Sequence, residues 1–163
     1  MKTGLTVGPG FAVGAGLAGD FLNRKKTTLL GIGNRLWHDD GAGSILAERL
    51  GAHQGLPAID GGMVPENHLE QVVANKPDAV LLADAADMGL APGEYCILPA
   101  SEFPTSGIST HAGSPRMLAS YLAERTGAEV FLLAIQPGDV SSGEGLSVEV
   151  EKAVDELVGL LAS

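Results

Sequence analysis

Short hydrophobic runs alternate with segments of helical periodicity from Thr27 onward. The runs have the composition of buried strands, and they lie at residues 27–32, 58–60, 79–83, 95–98 and 130–135. Helical segments separate most of these runs, and such alternation is typical of strand-helix-strand units. The pattern therefore predicts an α/β fold with a largely parallel sheet.

The first two predicted helices follow Gly43 and Pro65, and the second is expected to stop at Pro77. Apolar residues recur in both at the spacing of one helical face. The residues that share a face are Ile45, Leu46, Arg49 and Leu50 in the first helix and Leu69, Val72 and Val73 in the second.

The last two predicted helices have clearer start signals. The third is expected from Pro115 until Gly127 ends it, with Ser114 as its N-cap, and the fourth begins at Ser147. The residues expected to face the core are Met117, Leu118, Tyr121 and Leu122 in the third helix and Val150, Val154, Leu157, Val158 and Leu161 in the fourth.

The length of 163 residues suits one compact domain. Residues 4–22 are rich in Gly and Ala and mostly apolar, which raises the alternative of a membrane segment. Frequent Gly and Pro and the interruption at Asp20 argue against insertion. We predict a flexible N-terminal extension at 1–26, a single α/β domain at 27–163 and no membrane insertion.

Composition narrows the range of partners. The formal net charge is −10, which argues against nucleic acid or an anionic membrane as the main partner but is compatible with a basic peptide. The single cysteine, Cys96, excludes an internal disulfide and lies in an apolar run, so we interpret it as a buried, inert thiol. A reducing cytoplasm fits this cysteine usage.

The segment from Gly31 to Gly43 leaves a strand and enters a helix, where α/β proteins place their ligands. Nucleotide binding is the obvious alternative, but Leu36 replaces the third glycine of a dinucleotide fingerprint and no Walker ending follows. Asp39 and Asp40 stand near the predicted helix start. This segment alone supports helix capping and metal binding about equally.

Two further candidates follow later in the chain. Asp84 directly follows a buried run and is expected at the mouth of the crevice, whereas Asp87 is the better candidate for a simple turn residue. His111 precedes the third helix, although a lone loop histidine is more often solvated or hydrogen-bonded. Together, two carboxylates and an imidazole would leave positions open on a divalent transition metal. His38 is a possible auxiliary ligand.

The signatures of conventional proteases are absent from the sequence. It contains no His-Glu-x-x-His motif and no Gly-x-Ser-x-Gly elbow. Cys96 has no neighbour that would lower its pKa, so the residues alone do not indicate a nucleophile.

Several motifs resemble those of the hydrogenase maturation endopeptidases, from Thr27 to about Leu160. The matching stretches are Gly31-Ile32-Gly33-Asn34, Asp39-Asp40-Gly41-Ala42-Gly43, Asp60-Gly61-Gly62, Pro65-Glu66-Asn67, Asp84-Ala85-Ala86-Asp87-Met88-Gly89-Leu90, Pro92-Gly93-Glu94, Thr110-His111 and Ile135-Gln136-Pro137. They are most similar to the branch that processes the large subunit of formate-hydrogenlyase-type hydrogenase.

The resemblance implies a three-layer α/β/α sandwich around a mostly parallel, twisted sheet of about five strands. It implies metal ligands at Asp40, Asp84 and His111, with Asp40 and Asp84 as the catalytic candidates. The metal would be nickel carried by the substrate, the precursor of a [NiFe]-hydrogenase large subunit, with no organic cofactor. The protease would remove the C-terminal extension of that precursor in the cytoplasm.

Two other functions stay open on the sequence. The chain could be a non-catalytic, metal-dependent module that binds the large subunit during assembly. It could also be a general metallohydrolase with its own tightly bound zinc. Metal analysis and tail processing distinguish these alternatives from the nickel-dependent endopeptidase.

Overall fold

All five predicted strands from Thr27 onward are present in the computed structural model, which describes residues 5–7, 11–13, 26–103 and 114–162. The strands are β1 (Leu5–Val7), β2 (Phe11–Val13), β3 (Thr27–Ile32), β4 (Ala58–Gly62), β5 (Ala79–Ala85), β6 (Tyr95–Pro99) and β7 (Glu129–Ile135). The helices are α1 (Ala42–Gly51), α2 (Leu69–Ala74), α3 (Pro115–Thr126) and α4 (Val148–Leu161). Three short 3-10 helices are η1 (His38–Gly41), η2 (Pro65–His68) and η3 (Ala100–Glu102).

The main sheet has the strand order β4-β3-β5-β7-β6. Strands β4, β3, β5 and β7 run parallel, and β6 pairs with β7 in the antiparallel sense. The sequence prediction of a mostly parallel five-stranded sheet is therefore confirmed. The four parallel strands place their carboxyl ends along one edge, which we name the carboxyl edge.

Helices cover both faces of this sheet and complete a three-layer α/β/α sandwich. Residues of α1 and α4, including Leu46 and Val154, pack in one core layer with Leu81 of β5. Residues of α2 and α3, including Val72, pack in the other layer. Buried strands thus contribute alternate side chains to two cores, which explains why they read as continuous hydrophobic runs.

Helix α3 begins and ends where the sequence predicted. Ser114 Oγ accepts a hydrogen bond from the Met117 backbone N–H at 3.2 Å, and Gly127 adopts a left-handed φ of 74°. The predicted inward positions of Met117 and Tyr121 are wrong, since their exposed fractions are 67% and 40%. They lie on a stripe beside the buried one, and the Tyr121 hydroxyl donates to Glu70 of α2 instead.

The two N-terminal strands form an antiparallel pair that contacts β6. Residues 1–4, 8–10 and 14–25 of the predicted extension lie outside the described residues. The boundary at residue 26 and the flexibility of the extension therefore stay predictions. Within the part of the chain that the structure describes, no helix combines the length and apolar character required to cross a bilayer.

Candidate active site

The carboxyl ends of β3 and β5 border the crevice that the topology predicts for a ligand. From β3 the chain passes through α1 to β4 on one side, whereas from β5 it passes to β6 at the far edge of the sheet. Neighbouring strands whose connections diverge in this way leave an opening beyond their carboxyl ends. Candidate catalytic groups are therefore expected at these two strand ends.

Interlocking glycines bring the start of α1 against the ends of β3 and β5. A Cβ at Gly43 would lie 2.1 Å from the Ala83 carbonyl oxygen and 2.4 Å from that of Ile32. A Cβ at Gly31 would lie 2.2 Å from the Gly43 carbonyl oxygen. Close packing of backbone thus accounts for the glycine-rich pattern that had suggested a nucleotide-binding loop.

Asp84 is fully buried near the end of β5. The strand extends to Ala85, so Asp84 lies inside it rather than just after it, and it pairs in register with Ala134 of β7. Strand alternation directs its side chain to the same face as Leu82, the face covered by α2 and α3. Carboxylates are rarely fully buried, and one that lies at the end of a central strand is a candidate for a functional role.

Asp40 lies on η1, which contacts β5 at the same crevice. Its carbonyl oxygen would be 2.4 Å from a Cβ at Gly33, so the close approach of two backbones fixes its position. Its Oδ2 accepts a hydrogen bond from the Asn34 N–H at 3.3 Å. Asp40 is only partly buried, in contrast to the fully buried Asp84.

The neighbouring carboxylate of Asp39 has a structural role. It is fully buried and accepts hydrogen bonds from the backbone N–H groups of Gly138, Asp139 and Ser147 at 2.8, 2.9 and 2.7 Å. The Ser147 hydroxyl donates a fourth at 2.7 Å. Asp39 therefore accepts backbone N–H groups as a capping residue does, but these belong to the loop between β7 and α4. The prediction that it would cap its own helix, α1, is not what the structure shows.

His38 joins the same loop. Its Nδ1 lies 2.9 Å from the Gly145 carbonyl oxygen, so this nitrogen carries the proton and donates it. The ring covers Gly143, where a Cβ would be 2.3 Å from Nε2. The structure thus gives His38 a loop-bracing contact, and its predicted role as an auxiliary ligand stays a prediction.

Gln136, directly after β7, organises the loop that follows Asp84. Its side-chain oxygen accepts hydrogen bonds from the Met88 and Leu90 N–H groups at 2.7 and 3.2 Å, and its amide donates to Asp87 at 3.2 Å. Asp87 also accepts from the Gly89 N–H at 3.1 Å, which confirms it as a turn residue. Sequence reasoning did not single out Gln136 as a site residue. Its position as a polar residue directly after a buried strand was the signal that could have indicated it.

A polar network beside the crevice was also missed by sequence reasoning. Arg35 donates to Ser44 Oγ at 2.9 Å and to Asp60 Oδ2 at 2.9 Å, and Ser44 donates to Asp60 Oδ1 at 2.7 Å. Arg35 also forms an ion pair with Glu48 at 2.6 Å. These contacts join the loop after β3 to α1 and β4. Asp60 had been noted only within a motif, since sequence spacing gives no indication of its partners.

His111, the third predicted ligand, lies outside the described residues. Residues 26–103 and 114–162, with the two N-terminal strands, contain no group of three or more His, Cys, Asp or Glu side chains placed to hold an ion. The segment that carries Asp40 contacts the strand that carries Asp84, and the predicted convergence of Asp40, Asp84 and His111 on one ion stays a prediction.

Cys96 is buried in β6, as expected. Burial raises the pKa of its thiol to about 11, because an apolar interior disfavours the thiolate. This environment agrees with an inert thiol and gives no support to a cysteine nucleophile.

Comparison with known proteins identifies the family. Residues 44–163 match the family model HycI, described as hydrogenase maturation protease. The chain belongs to the hydrogenase maturation protease family. This protease is 36% identical over 130 residues to the Hydrogenase 3 maturation protease of Escherichia coli (strain K12), with 78% of this chain and 83% of that protein covered.

Solved structures of the family share the fold of this protease. The crystal structure of the [NiFe] hydrogenase maturation protease HycI from Thermococcus kodakarensis KOD1 is similar with a TM-score of 0.81 and 31% identity, over 90% of this chain and 96% of that one. The solution structure of the endopeptidase HycI from Escherichia coli has a TM-score of 0.70 and 33% identity, with 84% and 89% covered. The α/β fold and the hydrolase activity inferred from the motifs are thereby confirmed.

Proposed function

We propose that this protease removes the C-terminal extension of the nickel-loaded precursor of a [NiFe]-hydrogenase large subunit. Asp40, Asp84 and His111 would contact the nickel that the substrate carries. The observation that supports this proposal most is the contact between η1, which carries Asp40, and β5, which carries Asp84, in a chain of the hydrogenase maturation protease family.

The chemistry of these groups suits a metal that arrives with the substrate. Carboxylate oxygens and an imidazole nitrogen are ligands for divalent transition metals, and three protein ligands leave coordination positions for groups of the precursor. In this proposal the nickel belongs to the substrate, and the protease uses no organic cofactor. Only a correctly loaded precursor would present all the groups that the crevice binds.

Asp40 and Asp84 are proposed to recognise this nickel first and to assist hydrolysis second. A carboxylate at the crevice can accept the proton of an attacking water, and this role would make the activity aspartyl-type. Nickel close to the scissile bond would polarise its carbonyl. We favour recognition as the principal role, because the motifs define ligands and do not define a nucleophile.

Cleavage would regulate assembly of the hydrogenase, since the subunit could close over its active site only after loss of the extension. We place this step in the cytoplasm. The single cysteine is a buried free thiol, which is compatible with a reducing compartment.

The decisive experiment incubates the purified protease with nickel-loaded and nickel-free precursor and follows the tail by mass spectrometry. We expect cleavage of the loaded form alone. Equal cleavage of both forms would contradict nickel recognition, and a stable complex without tail removal would favour the non-catalytic assembly module.

Variants assign the site residues. Asp40→Asn, Asp84→Asn and His111→Ala should each abolish processing, and circular dichroism should show that the Asp40 and His111 variants retain the fold. Asp78→Asn is the matched control, because Asp78 is an exposed aspartate just before the same strand as Asp84. Processing at the wild-type rate by any of the three site variants would remove that residue from the proposed site.

A further inference from the structure

Large hydrophobic side chains are exposed on three loops of the carboxyl edge. Leu36 and Trp37 follow β3, Met63 and Val64 follow β4, and Val140 follows β7. Their exposed fractions lie between 45% for Val64 and 58% for Leu36. We name these five residues the apolar rim. Exposed apolar side chains clustered in one region of a protein commonly mark an interaction site.

Hydrogen bonds between the loops hold the apolar rim in place. The Gly33 N–H donates to the Gly62 carbonyl at 3.0 Å, which joins the loops after β3 and β4. The Gly143 N–H donates to the Leu36 carbonyl at 2.8 Å and the His38 N–H donates to the Gly143 carbonyl at 2.7 Å, which joins the loops after β3 and β7. The surface is thus preformed, and a partner would bind it with little ordering cost.

The apolar rim is continuous with the candidate active site. Trp37 stands three residues before Asp40, and the Asp40 N–H donates to the Trp37 carbonyl at 3.1 Å. A partner whose scissile bond reaches Asp40 is therefore close to Trp37.

The rim extends beyond the crevice on both sides. Strands β4 and β7 are separated by β3 and β5 in the sheet, which gives three interstrand spacings. At about 4.8 Å each, these place the outer loops about 14 Å apart. A tail that enters the crevice between β3 and β5 along the strand direction would contact the part of the rim next to the crevice, whereas a folded surface above the edge can contact all three loops.

The charge around the rim indicates the chemistry of the partner. In the described loops that follow the parallel strands, Arg35 is the one lysine or arginine, and it is ion-paired with Asp60 and Glu48. The same loops carry several exposed carboxylates, including those of Asp139 and Glu144. An apolar surface within negative charge is complementary to an apolar patch surrounded by basic residues.

We propose that the apolar rim docks the folded body of the large-subunit precursor, through an apolar patch with basic residues around it. This inference rests on the proposed function for the identity of the partner. The tail would enter the crevice while the body of the precursor binds the rim, so that the two contacts together select the substrate.

The test measures affinity for purified nickel-loaded precursor, as KM where the tail is cleaved and as a calorimetric dissociation constant where it is not, with Met63→Lys and Met63→Glu compared. Both changes remove an apolar contact far in sequence from Asp40, but only lysine repels a basic partner. We expect affinity to fall at least tenfold for Met63→Lys and about threefold for Met63→Glu, with kcat unchanged in both. Added salt should weaken wild-type binding. The control Ala74→Lys adds the same charge at the exposed end of α2 and should leave affinity unchanged.

Several outcomes would overturn the docking proposal. Wild-type affinity in Met63→Lys would remove the rim from the interface. An equal loss of affinity in Met63→Lys and Met63→Glu would contradict the presence of basic residues around the partner's apolar patch. A wild-type dimer in sedimentation that dissociates in Met63→Lys would assign the rim to a second copy of this chain. Rim-dependent binding without tail cleavage would support the docking proposal and contradict the proposed function, so the two failures are distinguishable.

Discussion

The two ends of the parallel sheet are built in different ways. The amino ends of the parallel strands form the opposite edge, which we name the amino edge. There, backbone hydrogen bonds join the segments that enter the strands, such as those from the Asp78 and Ala79 N–H groups to the Lys26 carbonyl at 2.7 and 3.1 Å. At the carboxyl edge, buried side chains of Asp39 and Gln136 join separate loops, and glycines allow backbones to touch. Backbone closure tolerates many sequences, whereas side-chain closure requires particular residues.

This difference separates scaffold from function. The carboxyl edge contains Asp40, Asp84, the polar network of Arg35 and the apolar rim, and its loops are fixed relative to one another. Precise placement of crevice groups is what recognition of a substrate-bound metal would require. Substitutions at the carboxyl edge should consequently cost far more than comparable substitutions elsewhere.

The largest expected effect is that of Gly43→Ala. A Cβ there would lie 2.1 Å from the Ala83 carbonyl oxygen, a backbone atom that cannot move without shifting β5. We expect a loss of about 3 kcal/mol or more in the free energy of unfolding, or failure to fold. Guanidinium denaturation measures this loss.

Gly159→Ala is the matched control, because a Cβ at Gly159 in α4 meets nothing within 4 Å. Alanine in a helix should raise stability by about 0.5–1 kcal/mol. Equal effects of the two substitutions would refute the steric explanation of the glycine pattern.

The second effect in size is that of Asp39→Asn. The amide retains the shape of the side chain but has one acceptor oxygen in place of two. Its NH₂ group is a donor, and it would face N–H and O–H groups that now donate to Asp39. We expect a loss of about 2–3 kcal/mol, because buried N–H groups of the loop after β7 lose a charged partner. Denaturant titration and hydrogen exchange at Ser147 would detect it.

Asp78→Asn at the amino edge provides the comparison. Asp78 is exposed and accepts a hydrogen bond from the Lys26 N–H at 3.3 Å, so its change should stay within about 0.5 kcal/mol. If Asp78→Asn were as costly as Asp39→Asn, the contrast between the two edges would be lost.

A smaller effect distinguishes two residues with positive φ. Lys76 at the amino edge has φ 50° and His38 at the carboxyl edge has φ 46°. Glycine relieves backbone strain at both positions, so Lys76→Gly should be neutral or stabilising by about 0.5 kcal/mol. His38→Gly should instead lose about 1 kcal/mol, because the hydrogen bond to Gly145 disappears. Thermal unfolding of both variants measures the difference, and equal shifts in Tm would contradict a bracing role for His38.

Much of the fold was predictable because it depends on local patterns. Hydrophobic periodicity located the strands, and Ser114 and Gly127 marked the ends of α3, since a cap and a left-handed turn are properties of a few consecutive residues. The inward positions of Met117 and Tyr121 were mispredicted because two adjacent stripes of α3 are both apolar in sequence. Which of them is buried depends on the tertiary placement of the helix.

The candidate site was predictable only in part. Asp84 lies near the end of β5 and Asp40 lies in the segment after β3, so the placement of these two segments at neighbouring strand ends followed from the fold class. The burial of Asp39 beneath the loop after β7 depends on residues about one hundred positions later in the chain. The partners of Gln136 and Asp60 depend on similar long-range contacts, for which one sequence carries no signal.

The smallest expected effect lies between the two edges, at Cys96. Burial raises the pKa of this thiol to about 11, so the native protein keeps it protonated and unreactive at pH 8. Alkylation by iodoacetamide should be slow until guanidinium unfolds the chain. Because the folded state retains this proton, stability should decline as pH rises above the thiol's ordinary value of 9.0 toward about 11. Rapid labelling of the native protein would contradict the burial.

The central claim is that Asp40, Asp84 and His111 share one metal ion in the crevice between β3 and β5. Anomalous diffraction from crystals of the protease soaked with cadmium, used as a probe for the substrate's nickel, tests it most directly. We predict one cadmium peak coordinated by both carboxylates and the imidazole, and its loss in Asp84→Asn. Cadmium bound elsewhere, or separate ions at the three residues, would contradict the claim.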